Sequence, residues 1–485
     1  MFRLTKLKVF SNHIIVLFAF IAAIVVGVLI GKGESKLVFL AVIAGLTGLL
    51  ILIRPEFPGY IPLAAIVVTN TFPPLIYGDW LTIGIEGANI RPDFVLLLMG
   101  LFLVYDRSRR GQQRIRTPLD TSIGVLLVIA LTADLISVIQ GHPVGVGPMV
   151  RFAEGWIWFF IASRLTRRQD IPRLVTILVI VVSIFAGALL VTSLTGSQLF
   201  YTQLFTHTNV QESINYEQFF TGYERPRVWL MEGETLIQQV WVLGLASTFN
   251  SGLSFVWGGI LLLIGLRSVT SLGRNFIGWL VIYFIATACV FLRAKRYPRW
   301  RTIFISLEII GVFALTLYIL LSKTEVWSNV VYWLGVRTFP TLEQLPYTYI
   351  GTEWAWSEMM SNPLFLVLGA GAFAPKPYDI NLPFVGIAFS LGIAGFLAYI
   401  WLFGKGLKQT WQLFNSTAIR EVERPLVAMA LVICLVSLGG LIVNIRPTTY
   451  VAHPLTTVPL AVLLGWLEVM YAGVVGASSA REKAN

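Results

Sequence analysis

Long apolar runs separated by short polar breaks occupy most of the chain from residue 13 to residue 474. A helix needs about 20 apolar residues to cross about 30 Å of hydrocarbon. Runs at 13–31, 37–53, 59–76, 92–105, 121–140, 148–164, 172–195, 235–250, 252–270, 275–292, 302–321, 383–403, 425–443 and 452–474 reach or approach that length. They predict an all-α, polytopic membrane protein with about 14 transmembrane helices. The neighbouring runs 235–250 and 252–270 predict a tight helical hairpin, because one helix of their joint length would overshoot the bilayer. The run 13–31 follows a basic start, but it is long enough to span and no small-residue cleavage site follows, so it reads as the first span. Two longer polar segments, 196–234 and 322–382, interrupt the pattern. No internal repeat or low-complexity tract divides the chain, and residues 1–485 read as one membrane domain.

Composition supports the membrane assignment. The chain is 56% hydrophobic and only 13% charged, whereas soluble domains carry about 25% charged residues. Too little polar surface remains to clothe a water-soluble body. The net charge of +11 therefore points away from nucleic acid and towards basic loops at one membrane face. When the spans alternate from a cytoplasmic N-terminus, two thirds of the 36 lysines and arginines fall on the cytoplasmic side. The groups include Arg107, Arg109, Arg110, Arg114 and Arg116; Arg164, Arg167, Arg168 and Arg173; and Lys405, Lys408, Arg420 and Arg424. Both termini are expected in the cytoplasm and segments 196–234 and 322–382 outside. Cys289 and Cys434 lie within apolar runs, and His13, His142, His207 and His453 are dispersed. Neither a metal site nor a cofactor is expected. No phosphate-binding glycine loop is present, which argues against ATP-driven transport by this chain alone.

Polar chemistry concentrates in the outer segments. Segment 196–234 carries Glu224, Arg225, Arg227, Trp229, Glu232 and Glu234. Arg274 starts the run 275–292, and Arg446 and His453 sit in the last outer turn. Segment 322–382 carries Lys323, Arg337, Glu353, Trp354, Trp356, Glu358, Lys376 and Asp379. A guanidinium binds phosphate oxygens bidentately and stays charged, so outer arginines at helix ends suit a diphosphate at the bilayer surface. Tryptophans there can stack on sugar rings or sit in the interfacial belt. A carboxylate can deprotonate an attacking hydroxyl. The plain alternatives are snorkelling anchors for the arginines, belt or loop-core positions for Trp354 and Trp356, and an internal ion pair for Arg151 and Glu154.

Four stretches resemble the superfamily of bacterial O-antigen ligases and polymerases. Ser361-Asn362-Pro363-Leu364-Phe365 with Gly369-Ala370-Gly371-Ala372-Phe373 is similar to that superfamily's outer-loop segment, which follows a Trp-bearing helix as Trp356 does here. Leu391-Gly392-Ile393-Ala394-Gly395 resembles the G-x-x-G that enters the next helix. Thr270-Ser271 to Arg274 resembles a motif at an outer helix start, and Arg227 matches an arginine of the preceding outer loop. The chain departs from the ligase pattern at Asn381, where ligases carry a histidine, and at Thr348, where an arginine is common. Leu272 and Gly273 split the Ser–Arg pair. The missing histidine tilts the resemblance towards a polymerase.

The resemblance implies a metal-independent inverting glycosyltransferase in the bacterial cytoplasmic (inner) membrane. Its donor would be an oligosaccharide on undecaprenyl diphosphate, which it transfers or polymerises at the outer face. Arg227 and Arg274, then Arg337 and Arg446, would bind the diphosphate. Asp379 or Glu353 would act as base, with Arg274 stabilising the leaving group. The expected partners are the lipid-linked glycan and the bilayer, with room for a chain-length regulator and no role for nucleic acid. The competing expectation is a lipid-linked glycan flippase or another polytopic transporter. Such proteins place charges near the bilayer midplane, and here Asp134 in run 121–140 and Glu308 in run 302–321 are the candidates.

Overall fold

The computed structural model describes residues 57–71, 83–85, 88–90, 92–110, 117–139, 146–195, 231–252, 254–270, 274–294, 345–371, 383–443 and 454–482. The predicted spans 13–31, 37–53 and 302–321 lie outside them. The described elements are all helices, except for an antiparallel hairpin of two three-residue strands pairing Ile83–Ile85 with Ala88–Ile90. The apolar periodicity did not anticipate that hairpin.

In chain order the helices are α1 (Ile61–Thr71), α2 (Pro92–Arg109), α3 (Pro118–Ile139), α4 (Val146–Leu165), α5 (Ile171–Thr195), α6 (Met231–Ser251), α7 (Phe255–Thr270) and α8 (Arg274–Arg293). They continue with α9 (Leu345–Ser361), the short α10 (Pro363–Leu368), α11 (Pro383–Asn415), α12 (Arg424–Val443) and α13 (Pro454–Glu482). Proline opens α2, α3, α10, α11 and α13, where its missing N–H costs no helical bond. Among the described residues, Pro118–Ile139, Arg168–Gly187, Phe384–Asn415, Arg424–Leu441 and Thr457–Val474 are long and apolar enough to cross a membrane. Pro58–Thr69, Phe255–Arg267 and Trp279–Arg293 are shorter apolar helices. The expected hairpin is present as α6 and α7, which turn at Gly252 and pack together. Within segment 322–382, which hydropathy leaves as a loop, stand α9 and α10.

The interior is built on small-residue contacts and bulky rings. α4 and α13 make the most extensive pairing in the bundle. There Gly465 lies so close to α4 that a Cβ would stand 2.8 Å from the Cβ of Ala162 and 2.9 Å from the Phe159 carbonyl oxygen. Lipid tails are as apolar as leucine, so close backbone approach and dispersion replace the hydrophobic effect as the force between such helices. Trp156, Trp158 and Trp466 fill the surrounding core. α12 is buried almost along its whole length against α6, α8 and α11.

One end of the bundle is tied together by charge. Arg107 at the end of α2 donates to the carbonyls of Arg164 and Leu165, 2.9 and 3.1 Å away, at the end of α4. Arg164 pairs with Asp120 at the start of α3 at 2.8 Å. Lys405 of α11 reaches the Pro118 carbonyl, and the Leu119 N–H donates to Glu468 of α13. Asn250, at the end of α6, donates to Glu421 in the α11–α12 connection. The helix ends named here therefore meet at a single end of the bundle.

Glu423, in the connection between α11 and α12, is the hub of that end. Its side chain is fully buried and accepts from Arg168 Nε and Nη2, from the Arg420 side chain and from the Arg420 N–H. Burial alone pushes this carboxyl up, but the bonds from Arg168 and Arg420 outweigh it and hold the group at about 2. A carboxyl depressed in the folded state stabilises fully above its unfolded value near 4.5, and that stability is lost as pH falls towards 2. Glu423→Gln is expected to cost roughly 2–3 kcal/mol at neutral pH, discounted for the half-exposed Arg420. Thermal unfolding in detergent between neutral pH and pH 3 is the check. The difference between wild type and variant should shrink as the medium is acidified. A difference independent of pH would disprove the ionic role.

Candidate functional site

At the other end, the chain breaks its own helix. Gly392 in α11 has φ 69° and ψ 179°, so α11 is two helices joined at a kink. Nine residues of helix precede the break, placing it about 14 Å inward from the start of α11. A break at this depth frees backbone groups that hydrocarbon cannot satisfy. They are satisfied by the segment after α10. The Ala370 N–H donates to the Phe389 carbonyl at 2.7 Å, and the Gly371 N–H to the Ser390 carbonyl at 3.0 Å.

This junction needs glycine on both sides. A Cβ on Gly392 would stand 2.1 Å from the Val367 carbonyl oxygen, and one on Gly369 would stand 2.4 Å from that of Ser390. Both residues also have positive φ, as does Gly371 at 104°. The local sequence brings the chain to this point in order. Asn362 caps α10 by accepting from the Leu364 N–H, Pro363 fits the first helical turn, and Gly369 ends the helix. A small core of Ala355, Met359, Phe365, Ala370, Ala388 and Phe389 clamps α9 and α10 onto α11. Trp354 joins it, its ring 5.0 Å from that of Phe389. Trp354 therefore takes the loop-core position, whereas Trp356 is exposed.

A third element closes on the junction. Asp134 and Ser137 of α3 are both buried. A Cβ at Gly371 would stand 3.0 Å from Asp134 Oδ1 and 3.4 Å from Ser137 Oγ. A carboxylate and a hydroxyl thus abut the backbone of the Gly369–Gly371 segment. The sequence singles out Asp134 as a charge inside an apolar run, but as a candidate for a transport path. Its contact with the glycine segment could not be foreseen from spacing.

The sequence-predicted site residues are placed as follows. Glu353 is exposed on the face of α9 turned away from Ala355 and Met359. Arg274 begins α8 at the end of the bundle opposite the basic one, since Arg293 ends that helix beside Phe291, which packs on Phe414 near the end of α11. Arg227, Arg337, Asp379 and Arg446 lie outside the described residues, as do Glu308, His142 and His453. Sequence reasoning passed over two buried charges, Arg267 of α7 and Glu468 of α13. Each was visible only as one charged position in a long apolar run. Glu154 is buried on α4, and Arg151, its expected ion-pair partner, has no described side chain. Among the described residues no group of His, Cys, Asp and Glu is arranged to hold a metal ion.

Comparison with protein-family models gave no match, and no curated protein matches the chain.

Replacing Gly392 by Ala is expected to destabilise the protein by roughly 2 kcal/mol or more, because it adds a left-handed backbone penalty to a backbone clash. Gly404→Ala, on the same helix with nothing within 4 Å of its Cβ, should be neutral or slightly stabilising. Thermal unfolding of the two variants, reconstituted identically, is the measurement. Equal stability would show that the junction tolerates a side chain.

Proposed function

We propose that the chain is a metal-independent inverting glycosyltransferase that transfers or polymerises undecaprenyl-diphosphate-linked oligosaccharide at the outer face of the bacterial cytoplasmic membrane. In this proposal about 14 helices span the bilayer, the basic end of the bundle and both termini face the cytoplasm, and the glycine junction lies in the outer half. One observation carries most of the support. The two stretches that resemble the O-antigen ligase and polymerase motifs meet backbone to backbone where Val367–Gly371 lies against Phe389–Gly392.

The chemistry proposed is the one that the resemblance implies. An acceptor sugar hydroxyl attacks the anomeric carbon of the donor, the bond from that carbon to the diphosphate oxygen breaks, and the hydroxyl proton passes to a carboxylate. Asp379 is the proposed base, with exposed Glu353 as the second choice. Arg227 and Arg274, with Arg337 and Arg446, are the proposed diphosphate ligands. Electrostatic stabilisation of the leaving diphosphate is the largest catalytic term in this scheme. A second reading, a transporter of lipid-linked glycan, is favoured by one specific pair of features: the broken helix and the buried Asp134 beside it are the materials of a midplane transport site.

Purified chain in nanodiscs, supplied with an undecaprenyl-diphosphate oligosaccharide, is expected to yield a ladder of lengthened lipid-linked glycan. Arg274→Ala should lower turnover by roughly 100-fold or more. Arg274→Lys should not restore it, because a point charge does not replace a bidentate fork. Full activity in Arg274→Lys would remove that residue from the diphosphate site. An absence of product, coupled with glycan flipping in proteoliposomes, would replace the enzyme by the transporter.

A further inference from the structure

Most arginines at the basic end are spent within the protein. Arg110 pairs with Asp106, Arg164 with Asp120, Arg168 and Arg420 with Glu423, and Arg424 with Glu421. Four others differ. Arg107, Arg109, Arg167 and Arg173 have no carboxylate partner among the described residues. Arg107 donates only to backbone carbonyls and feels the like charge of Arg167. Arg173 lies over the Tyr60 ring at 6.0 Å. Arg109 and Arg167 are exposed. Arg107, Arg167 and Arg173 belong to one corner, where the end of α2, the segment leading into α1, the end of α4 and the start of α5 converge, and Arg109 lies two residues beyond Arg107 on α2.

The surface beside this corner is apolar in a particular pattern. On α2, Leu98, Leu101, Phe102 and Tyr105 are exposed and share one helical face, which Arg109 continues. On α5, exposed Ile180 and Ile184 share the face that begins at Arg173. Two stripes suited to hydrocarbon therefore each end in a guanidinium, at the end of the bundle that also holds Arg107 and Arg167. A ligand with two acyl chains and an anionic phosphodiester fits both parts at once, since guanidinium forks match phosphate oxygens.

We propose that this corner is a binding site for an anionic phospholipid of the leaflet at the basic end, with the phosphodiester held by Arg107, Arg109, Arg167 and Arg173 and the acyl chains lying along α2 and α5. The site is at the opposite end from the glycine junction and does not depend on the catalytic proposal. A free phosphate would satisfy the guanidiniums but leave the apolar stripes without a role, so the lipid is the chosen occupant.

The test is native mass spectrometry of the full chain released from phosphatidylcholine nanodiscs with and without phosphatidylglycerol. The expected result is retained phosphatidylglycerol, displaced by raised salt and not by inorganic phosphate at equal ionic strength. The variant Arg109→Gln/Arg167→Gln/Arg173→Gln changes exposed positions and leaves the backbone contacts of Arg107 intact. Counting roughly fivefold per charge, it should weaken phosphatidylglycerol binding on the order of 100-fold. Lys408→Gln, an exposed charge on α11 outside the corner, should leave it unchanged. Equal retention of the two lipids, an undiminished preference in the triple variant, or displacement by inorganic phosphate would each overturn the proposal.

Discussion

The break in α11 is the constraint on which the opposite end of the bundle is organised. A helix that stops inside hydrocarbon must have its freed carbonyls paired, and here the Phe389 and Ser390 carbonyls accept hydrogen bonds from the N–H groups of Ala370 and Gly371. That requirement dictates the rest. The donor segment has to approach the break at backbone distance, so Gly369 and Gly392 have no room for side chains. The approach is held by α9 and α10, which pack their own small core on Phe389. The tip of the segment then lies against Asp134 and Ser137 of α3. Two neighbouring stretches and the distant α3 become one polar, glycine-lined junction, which is the best reason to propose chemistry there.

The two ends of the molecule are built on different principles. The basic end is knitted by ion pairs and trans caps around Glu423, Asp120 and Glu468, which fix the helix ends relative to one another. The other end relies on backbone hydrogen bonds and close packing. This division separates two roles for arginine: pairing and proposed lipid contact at the basic end, and proposed diphosphate binding at the junction end.

Much of the helical layout was legible because apolar length is a strong signal. The runs 121–140, 275–292 and 425–443 fall within one to three residues of α3, α8 and α12. Helix ends were less legible. α11 continues to Asn415 and α13 to Glu482 because polar helix formers carry the helix past the apolar stretch. The kink was invisible to hydropathy, since both halves of α11 are apolar; only the Gly392–Gly395 spacing hinted at it. Asp134 was legible as a buried charge but not as a neighbour of Gly371, because that contact joins residues more than 200 positions apart. Arg267 and Glu468 were missed because one charge barely lowers the mean hydropathy of a long run.

The most direct measurement is an experimental structure of the chain in nanodiscs with a bound undecaprenyl-diphosphate oligosaccharide whose anomeric linkage resists transfer. The account predicts the diphosphate at the end of the bundle where α8 begins, within reach of Arg274, and the sugar beside the Gly369–Gly371 segment. A glycan lodged instead along a path through the bundle past Asp134 and Glu154, with the diphosphate away from Arg274, would contradict it.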